Sequence, residues 1–300
     1  MTAARVAPAT AFAVAVLGIA IFSGMDAVMK GLVLAIGAYN ALLWRCAAGT
    51  LFSGVLYLGK RPAMPPPATL RLHLARGAVS AVMAFLFFWG LARVPIAQAI
   101  ALAFVAPIIA LLLAAVLLGE RVGRSALLAS GIAFAGVIVI IAGQARTALG
   151  PEALAGSLAV LCSAVCYAFN IILMRAQSQV AGPLEVSFWQ SAVVTALFLL
   201  AAPWFAILPA WEHLPAILIA AVLATVSLFL LSWAYGHGEA SYLAPTEYTG
   251  FVWAALFGWL VFSETLSPWT VAGAVLIVAG CVVAARGKPA PSVANVEAAP

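Results

Sequence analysis

PIAQAIALAFVAPIIALLLAAVLLGER, residues 95–121, decides the fold. From Pro95 to Leu118 no side chain ionises, and Gly119-Glu120-Arg121 returns the chain to water. At 1.5 Å of rise per residue, roughly 20 helical residues cross the hydrocarbon core of a bilayer. A core helix of a soluble protein is rarely so long and so uniformly apolar. The same design returns in YLAPTEYTGFVWAALFGWLVFSE, residues 242–264, which sets Glu264 in register with Glu120 at an offset of 144. Other matches keep that offset or one residue more: Met29-Lys30 with Met174-Arg175, Trp44-Arg45 with Trp189-Gln190, and Trp89 with Trp233. One crossing has become an internal repeat.

Composition points the same way. Hydrophobic residues make up 66% of the chain and charged residues 8%, against roughly 25% charged in ordinary soluble proteins. So few polar side chains cannot cover a globule of 300 residues, and much of the surface is expected to face lipid. No cleavable leader is evident in Met1–Thr10, which carries only Arg5. The net charge of +5 sits in short loops between apolar runs, where it reports membrane orientation rather than a nucleic-acid partner. Cys46, Cys162, Cys166 and Cys281 all fall inside apolar runs and read as small buried thiols rather than a disulfide or metal site.

The expected fold is an all-α polytopic membrane protein with ten transmembrane helices, at about 12–34, 39–58, 70–91, 95–118, 126–142, 155–175, 184–202, 214–236, 241–262 and 268–285. Two five-helix repeats, 1–146 and 147–286, precede a Pro- and Ala-rich tail, 287–300, with nothing to pack and expected to be disordered. Five crossings per repeat is odd, so the second repeat enters the bilayer inverted. That arrangement suits alternating access. No connection is long enough for a catalytic domain. With the N-terminus cytoplasmic, Arg5, Lys60, Arg61, Arg71, Arg76, Arg121, Arg124, Arg175, Arg286 and Lys288 fall inside, while only Lys30, Arg93 and Arg146 fall toward the outside. This bias fixes an inside N-terminus, and an even number of spans returns the C-terminus to the cytoplasm.

These residues carry a family resemblance over about residues 10–286. Two five-helix halves, the first with a proline-bearing helix closed by Gly119-Glu120-Arg121 and the second with a Pro245 helix closed by Ser263-Glu264, resemble the EamA family of the drug/metabolite transporter superfamily. The family more often has Gly-Glu where this chain has Ser263-Glu264. Residues 244–250, APTEYTG, are similar to those of bacterial aromatic amino acid exporters of the YddG type. The resemblance implies an inner-membrane exporter whose first four helices in each half surround a cavity, leaving the fifth and tenth outside it.

An ionised group near the centre of a span costs at least a few kcal/mol unless it meets a partner, water or cargo. Asp26 and Lys30 lie i,i+4 on the first span and can pair locally, and Asp26 can alternatively reach Arg45 across helices. Arg45 has two available roles: its guanidinium can snorkel outward, or it can accept a cargo carboxylate bidentately. Glu247, beside Tyr248, places the opposite charge near the other membrane face. Asn40, Gln98, Asn170 and Gln190 add neutral polar groups, and Trp89, Tyr167 and Trp189 add flat apolar surface, for bonding other helices or for cargo. Pro107 and Pro245 each remove a backbone hydrogen bond and can kink a helix, freeing carbonyl groups.

No phosphate-binding glycine loop, cofactor motif or cluster of metal ligands is present, and His73, His213 and His237 are scattered. The expected activity is a carrier that exports amino acids, aromatic or apolar ones included, and related small metabolites by alternating access. Uptake, multidrug efflux, a channel and a membrane enzyme are the alternatives. Gly131–Gly136 and Gly273–Gly280 suit packing on the transport core or on a second copy, which leaves monomer and homo-oligomer both open.

Overall fold

The computed structural model describes residues 8–61, 63–106, 108, 109, 113, 124–146, 150–178, 180–237, 246 and 249–286. Its secondary structure is helical throughout: α1 Pro8–Leu58, α2 Pro67–Leu91, α3 Ile96–Ala103, α4 Arg124–Arg146, α5 Gly150–Ser178, α6 Pro183–Leu200, α7 Leu214–His237, α8 Thr249–Phe262 and α9 Pro268–Arg286. Four helical stretches, within α1, α2 and α5 and from the turn before α7 into it, are long and apolar enough to cross a membrane. Shorter apolar helices occupy parts of α4, α6, α8 and α9.

Although α1 is one element, it contains two limbs. Gly37 has φ 77° and ψ 156°, outside helical geometry, and breaks it where the sequence places a boundary. A side chain at that φ would be strained, so glycine is what allows the break. Pro67, Pro183 and Pro268 each stand at the first position of a helix, where a missing N–H costs nothing. The fourth predicted span is described only in part: α3 runs to Ala103 and a turn follows at 104–105. Pro107, Pro245, Glu247, Tyr248 and the tail 287–300 lie outside the described residues.

Helix contacts repeat across the internal duplication. The first limb of α1 packs on α7, with Gly18 against Leu231, and its counterpart α5 packs on α2, the counterpart of α7, with Gly90 against Gly156. Trp89-Gly90 and Trp233-Ala234 hold matching positions. Ala234, Ala11 and Ala15 form a small buried cluster where the other copy brings together Gly90, Gly156 and Val160. The remaining counterparts meet one another: the second limb of α1 meets α6, α3 meets α8, and α4 meets α9. The last pair packs mainly on itself. An added Cβ at Gly136 or Gly273 would lie 2.6 Å from the other's carbonyl oxygen, so glycine sets that backbone approach.

Candidate functional site

The charged groups of the spans are held at three levels. At one end of the bundle, Lys30 Nζ donates to Glu264 Oε1, and at 2.6 Å to the carbonyl of Val94. Glu264 Oε2 accepts the Ile96 N–H at 2.8 Å. One ion pair thereby joins α1, the segment entering α3, and the residue just beyond α8. Lys30 is only 5% exposed, and the Phe262 ring lies 5.4 Å from its ammonium group. Close by, Asn40 Oδ1 accepts the Ile207 N–H, Trp44 Nε1 donates to the Ile207 carbonyl, both at 2.9 Å, and Tyr39 OH donates to the Phe198 carbonyl. Arg93 bonds Glu152 at 2.9 Å and lies 3.5 Å from the Trp89 ring centroid.

Deeper in the bundle are Asp26 and Arg45. Counting helix rise from the Gly37 break, Asp26 is about 16 Å in along one limb and Arg45 about 12 Å in along the other. Asp26 is 1% exposed, and neither carboxylate oxygen has a hydrogen-bond partner among the described residues. Arg45 makes no hydrogen bond to Asp26 among the described residues. Its Nε is buried and has no hydrogen-bond partner among the described residues, its Nη2 touches Cys46 Sγ at 3.5 Å, and its guanidinium lies 6.0 Å from the Phe88 ring. The local Asp26–Lys30 pair is therefore replaced by Lys30–Glu264. Arg45, half-buried, lies against Phe88 of α2.

The third level lies at the other end of α2. Arg76 Nε donates to Asn170 Oδ1 at 3.1 Å and its Nη1 to Gln177 Oε1. Gln177 thus presents its amide nitrogen to His73 Nδ1, which accepts, so His73 Nε2 carries the proton that Glu185 accepts at 3.0 Å. Ser80 links Asn170 to Gln190, whose Nε2 lies 2.8 Å from the hydroxyl. Trp189 stacks on His73 with centroids 5.7 Å apart. Arg76, His73, Ser80, Gln177 and Glu185 form a polar network that sequence reasoning did not bring together. On one strand of text Arg76 reads as an interfacial charge, since nothing local announces amide partners about a hundred residues away.

Of the other expected site residues, Gln98 is satisfied by Ser157 at 3.2 Å. Asn40 braces the backbone at Ile207 and Trp89 stacks under Arg93, so both hold structure at the Lys30 end. Tyr167 is exposed, at 39%. Cys46, Cys162 and Cys166 are free thiols, of which Cys46 is buried as expected while Cys162 is exposed and Cys166 half-buried, and no group of three metal-ligating side chains occurs among the described residues. An apolar crevice of about 680 Å³ between α1, α7 and α8 is lined by Gly24, Val28, Leu223, Phe257 and other carbon-rich positions.

The EamA-like transporter family model matches residues 9–142 and again residues 154–286. The chain belongs to that family. As an EamA protein, with the domain present twice, it is an integral membrane transporter and not an enzyme. It is 32% identical over 281 residues to a pseudopaline exporter of Pseudomonas aeruginosa, covering 91% of this chain and 95% of that one. It is 29% identical to a riboflavin transporter of Rhizobium johnstonii, covering 85% and 83%, and 26% identical to an S-adenosylmethionine uptake transporter of Rickettsia bellii, covering 69% of each. A solved crystal structure aligns at a TM-score of 0.61 over 94% of this chain and 100% of the other at 21% identity, a likeness of fold. The cargoes named for these relatives differ from one another, and none is an aromatic amino acid.

Proposed function

We propose that this EamA transporter is an inner-membrane carrier that exports zwitterionic small metabolites, amino acids with aromatic or apolar side chains included. The single observation that carries the reading is the unpaired state of Asp26 and Arg45: a fully buried carboxyl group and a half-buried guanidinium that form no ion pair with each other, each with polar atoms left without partners among the described residues. Leaving both unmatched inside a bilayer is costly. A zwitterion relieves both, its ammonium facing Asp26 and its carboxylate facing Arg45 in the bidentate geometry that guanidinium favours. Phe88, beside Arg45, offers an aromatic surface to an apolar side chain.

The reading extends to architecture. Ten spans form two inverted five-helix repeats, 1–146 and 147–286, with both termini cytoplasmic, and the Lys30 end faces the periplasm. That end is drawn shut by the Lys30–Glu264 pair and the brace at Ile207, which is the closure alternating access requires on one side at a time. Glu247 and Tyr248 are proposed as cargo contacts toward the opposite mouth, with Pro107 and Pro245 as the breaks that let their helices bend. Export rather than uptake is supported by the resemblance to the pseudopaline exporter.

Purified protein in liposomes preloaded with unlabelled L-phenylalanine tests the proposal. Labelled L-phenylalanine is expected to enter saturably and faster than into unloaded liposomes, with competition by other apolar amino acids and weak competition by 3-phenylpropionate or phenethylamine. Equal competition by those single-charge analogues would remove the zwitterion from the account. Passage that never saturates would make the protein a channel.

A further inference from the structure

Arg76 differs in its surroundings from Lys30, the other buried cation among the described residues. Lys30 has Glu264 and Arg93 has Glu152, whereas Arg76, 7% exposed, bonds only two neutral amide oxygens and has no carboxylate in ion-pair contact among the described residues. Two of its five N–H donors are used this way, and a buried guanidinium without a counter-charge is costly. Two further groups in the same network are unmet: Trp189 Nε1, a donor, and Gln190 Oε1, an acceptor, are buried without partners among the described residues. Both residues are tied to Arg76 through named contacts, Trp189 by its stack on His73 and Gln190 through Ser80 and Asn170. Of these residues Trp189 also lines a cleft of about 330 Å³, together with Tyr57, Met64, Pro65 and Phe188.

We infer that Arg76, Trp189 and Gln190 form a second ligand site, for the carboxylate end of an aromatic or apolar organic acid, at the opposite end of α2 from the Lys30–Glu264 pair. Along α2, Arg76 and Phe88, the residue beside Arg45, are separated by about 18 Å of helix rise, so the site is distinct from the one at Asp26 and Arg45. The carboxylate takes the free N–H groups of Arg76 and the indole N–H of Trp189, and a donor on the ligand satisfies Gln190 Oε1. Tyr57 and Phe188, stacked with centroids 5.0 Å apart, wall the cleft for the apolar body. The inference rests on the proposed transport reading only for the size of the molecule, since a carrier of small metabolites needs a place where cargo first meets the protein.

Its test reads Trp189 directly. The full chain is labelled with 5-fluorotryptophan and held in lipid nanodiscs, and the fluorine resonance of Trp189 is assigned by its loss in Trp189→Phe. Sodium benzoate is the probe, with benzylamine hydrochloride as its cationic counterpart. The resonance is expected to shift saturably with benzoate and to stay still with benzylamine. In Arg76→Lys, which keeps the charge but loses the planar fork, the midpoint is expected to rise about tenfold, the scale of one charge-assisted hydrogen bond. A resonance that ignores benzoate, moves equally with benzylamine, or titrates with an unchanged midpoint in Arg76→Lys overturns the site. Because no transport is measured, failed phenylalanine counterflow alongside a saturable benzoate shift would remove the proposed cargo and leave this site standing.

Discussion

Lys30 and Glu264, 234 residues apart in the chain, form one buried ion pair that ties the first helix to the residue just past the α8 terminus. The pair is more than a local contact, because its remaining capacity is met by backbone groups at both ends of the link into α3. Removing one partner leaves an uncompensated charge. Lys30→Met or Glu264→Gln alone is expected to cost about 3–5 kcal/mol, and the double variant Lys30→Met/Glu264→Gln distinctly less than the sum. Thermal unfolding of the purified variants measures this. Strict additivity would mean the two side chains act independently.

The turn that carries Glu264 makes a second prediction. Ser263 has φ 53°, in the left-handed region, and the Glu264 N–H reaches back to the Gly258 carbonyl at 3.1 Å. Glycine holds that conformation more cheaply, by about 1 kcal/mol. Ser263→Gly is expected to raise the melting temperature slightly, and Ser263→Val to lower it. At Gly258 a Cβ would fall 2.6 Å from Glu264 Oε2. Gly258→Ala should therefore displace the carboxylate and destabilise the chain without deleting a charge, with little added loss when combined with Glu264→Gln. A fully additive double variant would show that Gly258 does not act through the pair.

Much of this was legible in the sequence, and what was not has a physical reason. Apolar length and the offset of 144 announce helices and a repeat because both are properties of local composition. Gly37 is legible as a break because only glycine tolerates that φ. The family's preference for glycine before Glu264 also becomes intelligible, since Ser263 occupies a left-handed position. Side-chain pairing is different. Asp26 and Lys30 look like partners at i,i+4 spacing, yet Lys30 is bound by Glu264, since a helix face says nothing about which distant element packs on it. The amide partners of Arg76 were hidden for the same reason.

Asp26→Asn and Arg45→Gln keep side-chain volume and delete charge. Each is expected to lower phenylalanine counterflow about tenfold or more, on the scale of a lost charge-assisted hydrogen bond, with membrane abundance changing less than about twofold. The losses should be selective: Asp26→Asn weakens competition by phenethylamine and leaves 3-phenylpropionate nearly untouched, and Arg45→Gln does the reverse. Matching losses for both analogues would assign the pair to structure.

Topology is tested separately by reporters fused after Ala145 and after Arg286. The first is expected to read periplasmic and the second cytoplasmic, as five and ten crossings from a cytoplasmic N-terminus require. A cytoplasmic signal after Ala145 would undo the inverted arrangement whatever the helices' packing.

Alternating access itself is tested most directly by holding the Lys30 end shut. Lys30→Cys and Glu264→Cys are introduced into a chain whose Cys46, Cys162, Cys166 and Cys281 are replaced by alanine, and the two thiols are bridged by a short, reducible bifunctional reagent in proteoliposomes. If the helices must part here for cargo to cross, bridged protein loses labelled phenylalanine counterflow and regains it on reduction, while either single-cysteine variant is unaffected by the reagent. Counterflow through fully bridged protein at the unbridged rate would contradict the account.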